Sequence, residues 1–385
     1  MKKALGLIFV VLVLASGLGF GQTVVAKEWD IPFLNCLTGP IAAYGELFQW
    51  SADRAASEIN AAGGIKGKPV KIVGVDTGSD PQKGAADMAF LVNSTLVALG
   101  PVPEPVILAA MPIAVEAKMV SMTVSTSYEY AAKFFPWTVS FLPPTEQRLA
   151  PLVAAWAKKF PSMKKVVQIM TNYGPWPGMA DAHAKGLTSL GITMLQNVEV
   201  PQDAVAFGTF VVKALDQKPD GIVISTFPDK TAKIIQELKS RGWTNMNQIL
   251  IFSSGDGPDL YSTGGKDLNG VYIYNYLNPD FSSPRWDAVK AAYAKDHNGT
   301  EAPSLLKNYY DAVYMIKEAI EKTAVTGDPS KLAAERKMIS DYMSNVKGFQ
   351  GVMGAWDMVN GVAMNTPNYI FMIQDGKKVN ATVVH

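Results

Sequence analysis

The stretch "DIPFLNCLTGPIAAYGELFQWSADRAASEINAAGGIKGKPVKIVGVD", Asp30 to Asp76, decides the fold. It opens on the β-rich run "DIPFL". Leu47, Trp50, Ala55 and Ile59 then recur at helical spacing and make one apolar stripe. Gly63 and Gly64 end that helix, and "VKIVGVD" is a second β-rich run. Strand, helix and strand in this order form a parallel crossover unit.

The same alternation continues outward. Asp80 followed by Pro81 is a helix cap with a first-turn proline. "TLVALG" reads as a strand, "PVILAAMPIAVEAK" as a helix and "VSMTVS" as a strand. The pattern restarts with the strand "KKVVQIM", the helix "WPGMADAHAKGLTSLG", the strand "ITMLQNVEV" and the helix "AFGTFVVKALDQ". The strands "GIVIST" and "QILIFSS" flank the helix "DKTAKIIQELKSRG". Two successive alternations imply an α/β chain of two open parallel sheets, each covered by helices on both faces. Right-handed crossovers make each a doubly wound lobe. In the tail, the strand "VYIYNYL" precedes helices over Pro284–His297 and Pro303–Ala324, then antiparallel-looking strands that return to the first lobe and then the second.

The chain has 385 residues, 48% of them hydrophobic and 18% charged, enough for two domains with sizeable cores. Its net charge of +1 gives no reason to expect nucleic acid or a membrane surface as partner. Lys2 and Lys3, an apolar run from Ala4 to about Gly19, and small residues at Val24 and Ala26 have the order of a secretory signal peptide over residues 1–26. The apolar run falls short of the ~20 residues that span a bilayer. A mature start near Lys27 and a periplasmic location follow as expectations. The single cysteine, Cys36, has no partner for an intramolecular disulfide and reads as a buried small residue of the first strand.

Several residue strings together resemble one family. The TG-x-x-A-x-x-G of Thr38–Gly45, the "EINAAGG" helix end, the "GKPV" strand entry and the "DTGSDP" turn are similar to the opening of type I periplasmic binding proteins of the leucine/isoleucine/valine class. "NYG" at Asn172, "PDGIVIS" at Pro219, "GVY" at Gly270, "YYDAVYMI" at Tyr309 and "QDGKKV" at Gln374 follow in the family's order. The resemblance covers essentially the whole mature chain. It implies two lobes joined by three hinge crossovers: residues 27–144 with 276–350, and 145–275 with 351–385. It also implies a small-molecule ligand between the lobes, delivery to the membrane permease of an ABC importer, a monomer, and no cofactor. Ligands of doubly wound sheets sit beyond the carboxyl ends of the strands, and a domain interface is the usual pocket.

By that resemblance Tyr44 is an aromatic against the ligand, and Ser125 and Thr126 of "VSTS" offer hydroxyl and backbone groups to a ligand carboxylate. Tyr173 is an aromatic of the second lobe, with Trp176 nearby; Phe227 after "GIVIST" is a weaker candidate of the same kind. Each also reads as ordinary packing or a turn. Asp256 in "SSGDG" stands where the family often carries an acidic residue for a ligand's α-ammonium.

One stretch departs from the family. In "LGPVPEPVILAAMP", Leu99 to Pro112, relatives that bind amino acids bring a serine to the ligand carboxylate, and this chain has Pro103 and Glu104. Pro101, Pro103 and Pro105 lack N–H groups, so the loop is a poor anion nest. Two alternatives follow. Glu104 turns away and is stabilised by a helix dipole with Pro105 as first helical residue, or the ligand places no carboxylate there.

Catalytic patterns are thin. His183, His297 and His385 lack metal-ligand spacing, no G-x-S-x-G elbow occurs, and "GGIKGKP" is not a phosphate loop. "NST", "NGT" and "NAT" match the glycosylation pattern by chance. The expectation is a non-enzymatic solute receptor for a branched-chain or related amino acid. The alternatives are an aromatic or other compound, a sensory ligand-binding module, and an envelope hydrolase.

Overall fold

The computed structural model describes residues 27–124, 128–141, 145–173, 176–275, 282–364 and 368–384. The expected leader over residues 1–26, and Ser125 and Thr126, lie outside them. The chain begins β1 (Trp29–Asn35), α1 (Ala42–Ala61), β2 (Val70–Asp76), α2 (Pro81–Leu91), β3 (Val97–Leu99), α3 (Glu104–Glu116), β4 (Val120–Thr123), α4 (Tyr128–Phe134) and β5 (Thr138–Ser140). It continues α5 (Thr145–Ala157), β6 (Lys165–Thr171), α6 (Trp176–Thr188), β7 (Thr193–Met194), β8 (Val198–Val200), α7 (Gly208–Leu215), β9 (Gly221–Ser225), α8 (Pro228–Ser240), β10 (Ile249–Ile251), α9 (Pro258–Gly264) and β11 (Tyr272–Asn275). It ends α10 (Pro284–Asp296), α11 (Leu306–Lys322), α12 (Leu332–Met343), β12 (Phe349–Gly351), β13 (Gly354–Val359), β14 (Val362–Met364), β15 (Asn368–Gln374) and β16 (Lys377–Val384).

Local signals account for these boundaries. Asp80 caps α2, accepting from the N–H groups of Gln82 at 2.7 Å and Lys83 at 3.0 Å, with Pro81 in the first turn. Gly64, at φ +77°, closes α1, where any Cβ would lie 2.2 Å from the Lys68 carbonyl oxygen.

The strands form two sheets, in the orders β12-β13-β14-β5-β4-β3-β1-β2 and β16-β15-β11-β10-β9-β6-β7, with β8 also beside β6. The doubly wound parts are parallel, as expected, and antiparallel strands extend one edge of each. Side chains alternate between two cores per sheet, the period-2 pattern of strands buried on both faces. Phe33 and Leu99 face α1 and α11, while Leu34 and Ala98 face α2 and α3. Ile222 and Ile224 face α7 and α8, while Val223 faces α5 and α6.

The chain passes between the sheets after β5, after β11 and after β14. The third passage comes later than the boundary expected at Gly351. β14 pairs in parallel with β5 at Val362 and Ser140, so residues 354–364 stay with the first sheet. Asp311 of α11 is the physical reason. Its carboxylate accepts from the N–H groups of Val352 at 2.7 Å and Met353 at 3.1 Å, which turns the chain back into the β12–β13 hairpin. At Gly351 a Cβ would sit 2.1 Å from Asp311 Oδ2, so that approach needs glycine. "ITMLQNVEV" is two short strands, not one, each pairing with a different part of β6. Helices α4, α5, α9 and α12 are additions that the sequence reading did not anticipate.

His183 is fully buried in the second lobe. Its Nδ1 donates to Gln168 Oε1 at 3.1 Å, because that amide oxygen can only accept, and Nε2 faces the Tyr274 hydroxyl at 3.4 Å. Burial pushes its pKa from 6.5 down to about 4. Between these values the folded state binds fewer protons than the unfolded chain, so stability falls as pH drops from 6.5 toward 4. Urea melts across this range should lose roughly 3 kcal/mol to this group, and His183→Leu should flatten the slope. An unchanged slope in the variant would contradict the assignment.

Candidate functional site

Parallel strands release their chain at the carboxyl end. In the first sheet β1 lies between β2 and β3, and in the second β6 lies between β7 and β9, so chain order reverses at β1/β3 and at β6/β9. Such reversals leave a crevice beyond the strand ends. The connections leaving β1, β3, β4, β6, β9 and β10 all reach one cavity of about 100 Å³. Tyr44, Phe48, Val102, Glu104 and Asn308 line it from the first lobe; Tyr173, Phe227, Phe252 and Ser254 line it from the second. Its wall is mostly aromatic and aliphatic.

The loop after β3 is held by a close crossing. Gly100 adopts φ +80°, and a Cβ there would lie 2.2 Å from the Leu34 carbonyl oxygen. Its N–H donates to Met122 O at 2.8 Å, and the Val102 N–H donates to Leu34 O at 3.2 Å. The N–H groups at positions 100 and 102 are thus used, and Pro101 between them has none to place. Pro103 caps α3, Glu104 is its first residue and Pro105 its second. The glutamate therefore has the helix dipole in its favour. It does not turn away from the site, as the first alternative required. It lines the cavity and is only 7% exposed.

Tyr44, in the first turn of α1, donates its hydroxyl to the Ser254 carbonyl oxygen of the other lobe at 2.6 Å. This helix start is fixed by Asn35 at the end of β1, whose amide donates to Gly45 O at 2.8 Å. Phe227, the residue that caps α8, has its ring centroid 6.2 Å from Tyr44 and 5.4 Å from Tyr173, the latter edge-on at 77°. The three rings therefore join the two lobes across the cavity. Burial first, and then the Glu104 charge, hold the Tyr173 phenol far above its usual pKa, so it stays protonated.

Asp256 does not line the cavity. Its carboxylate, 6% exposed, is paired with Lys378 of β16 and accepts from Tyr261 at 2.9 Å and Asn275 at 3.0 Å. The expected partner of a ligand ammonium is thus neutralised inside the protein. Ser125 and Thr126 lie outside the described residues; Val124, just before them, is on the wall. Trp176 opens α6, and its side chain lies outside the described residues.

Sequence reasoning missed Phe48, Phe252 and Asn308. Phe48 falls one helical turn after Tyr44, a spacing that was available. Asn308 gave a fainter signal, an amide beside Tyr309 and Tyr310 in the first turn of α11. It is 1% exposed, and neither side-chain atom of its amide has a hydrogen-bond partner among the described residues. Among the described residues no group of three or more His, Cys, Asp and Glu gathers as a metal site, and no helix is long and apolar enough to cross a membrane.

A family model described as periplasmic binding protein matches residues 28–378. The chain is 24% identical to a Leu/Ile/Val-binding protein homolog of Brucella melitensis, over 95% of this chain and 96% of that one. Its fold is similar to that of LivJ, the branched-chain amino acid transporter substrate-binding protein of Streptococcus pneumoniae solved with isoleucine. The TM-score is 0.77 at 21% identity, covering 93% of this chain and 99% of the other. It is equally similar to an ABC transporter solute-binding protein of Rhodopseudomonas palustris solved with 3,4-dihydroxybenzoic acid. Here the TM-score is 0.78 at 18% identity, covering 93% and 98%.

The Asp256–Lys378 pair makes a direct prediction. Lys378→Met leaves a buried carboxylate without its counter-charge and should cost about 3–5 kcal/mol in urea melts. Adding Asp256→Asn should recover most of that loss. A single-variant loss below about 1 kcal/mol would show that the pair is not what holds Asp256.

Proposed function

Because this chain belongs to the periplasmic binding protein family, we propose that it is the extracytoplasmic receptor of an ABC-type importer, closing on a small amphipathic solute and handing it to the permease. The observation that supports this most is one cavity lined by both lobes, at the strand ends where doubly wound sheets hold ligands. In this reading the leader is removed near Lys27, the protein works in the periplasm as a monomer, and it performs no reaction on its guest. The lobes, residues 27–144 with 276–364 and residues 145–275 with 368–384, rock about the three chain passages. Hinge closure of periplasmic binding proteins is a standard example of such motion.

The charges favour an aromatic ligand without a carboxylate at the Glu104 end over a branched-chain amino acid. An α-amino acid brings both a carboxylate and an ammonium. Beyond the effect of burial, the Glu104 charge already holds the Tyr173 phenol's pKa up across the cavity, and the same field disfavours a ligand carboxylate there. Asp256, the residue that would take the ammonium, is occupied by Lys378. The rings of Tyr44, Tyr173 and Phe227 instead present faces and edges to a flat guest. A branched-chain amino acid remains the second reading, supported by the names of the relatives.

Thermal unfolding with added ligands separates the two, since a compound that binds only the native form raises the midpoint. Leucine, isoleucine and valine at millimolar concentration should leave it unchanged, and neutral aromatic compounds should raise it. Glu104→Gln should strengthen binding of 4-methylbenzoate by about tenfold or more through the lost repulsion. A clear midpoint rise with leucine in the parent protein, or chemical conversion of a bound compound, would overturn the proposal.

A further inference from the structure

Asn308 stands in the first turn of α11, in a segment buried on every side from Leu306 to Val313. That burial follows from packing, since Tyr309 is wedged between Phe33 and Phe48, with ring centroids at 4.3 and 5.0 Å. An apolar side chain would suit position 308 well. The chain instead carries a carboxamide there, 1% exposed, on the cavity wall, with neither Nδ2 nor Oδ1 partnered among the described residues. An unmatched buried amide is a standing cost to folding. It is retained where something outside the fold completes its hydrogen bonds.

The chemistry of the amide restricts what that is. It offers two donors and one acceptor. A carboxylate can only accept, an ammonium can only donate, and a hydrocarbon does neither. A hydroxyl does both: its oxygen accepts from Nδ2 while its proton goes to an acceptor. Glu104 lies on the same wall, and its negative charge disfavours an anion there. We propose that Asn308 is a specificity-determining residue that reads a hydroxyl on the ligand, and that the ligand is an aromatic compound of the phenol class. This rests on the cavity being the binding site of a solute receptor, and it names the polar group that the site selects.

The test uses the purified protein and three probes of nearly equal shape: 4-methylphenol, 4-methylanisole and toluene. The ether oxygen of the second accepts but cannot donate. Calorimetric titration should find 4-methylphenol bound about tenfold or more tighter than either of the others. Asn308→Leu should bring the three within about threefold of one another and should melt no lower than the parent. Asn308→Ala serves for the titration if the leucine variant does not fold. Toluene or 4-methylanisole binding as tightly as 4-methylphenol would overturn the hydroxyl assignment while leaving the receptor reading in place. A variant that keeps the parent's preference, or melts more than about 5 °C lower, would overturn it too, the latter by showing that the amide is structural. If leucine binds and no probe does, this inference and the aromatic reading fall together; if no compound binds, the receptor reading falls with them.

Discussion

A parallel strand can hand its chain to a helix only at its carboxyl end, and this constraint arranges everything else in the molecule. Six such handovers, from β1, β3 and β4 in one sheet and β6, β9 and β10 in the other, meet at a single cavity. The strands themselves carry little chemistry; they are buried on both faces and serve to fix where their successors stand. The close crossing of Gly100 over Leu34 is the local form of the same constraint, since it sets the start of α3, and with it Glu104, against the cavity. Tyr44 then joins the two lobes through the Ser254 carbonyl.

In the proposed reading, placement of charge, more than shape, sets this cavity apart from one built for a zwitterion. One carboxylate, Glu104, is on the wall, where a guest's own carboxylate would be repelled. The other, Asp256, is removed from play by Lys378, Tyr261 and Asn275. Asn275 also donates to Ser304 of the first lobe at 3.2 Å, so the same network helps hold the lobes in register. The aromatic wall and the Asn308 amide complete a site that is apolar in its body and polar at one end.

Much of the fold was legible because its two periods are strong. The β-rich runs "VKIVGVD" and "GIVIST", the helical stripe through Leu47, Trp50, Ala55 and Ile59, and the Asp80–Pro81 cap all act locally. The last inter-sheet passage was not legible. It depends on Asp311 reaching residues about forty positions on, at Val352 and Met353, a tertiary contact without a local signature. The site divided in the same way. Glu104 was conspicuous because three prolines frame it, whereas its inward placement follows only from the crossing at Gly100. The neutralisation of Asp256 was hidden because its partner, Lys378, is 122 residues away in sequence. Asn308 was hidden because an amide near a helix start reads as a surface group until the packing around it is known.

The central claim is that one guest is held jointly by both lobes. A crystal structure of the protein grown with a compound that raises its melting midpoint tests this most directly. The account predicts that compound in contact with Tyr44, Glu104 and Asn308 on one side and with Tyr173 and Phe227 on the other. A compound bound against one lobe alone, or outside the space between the strand ends, would contradict it.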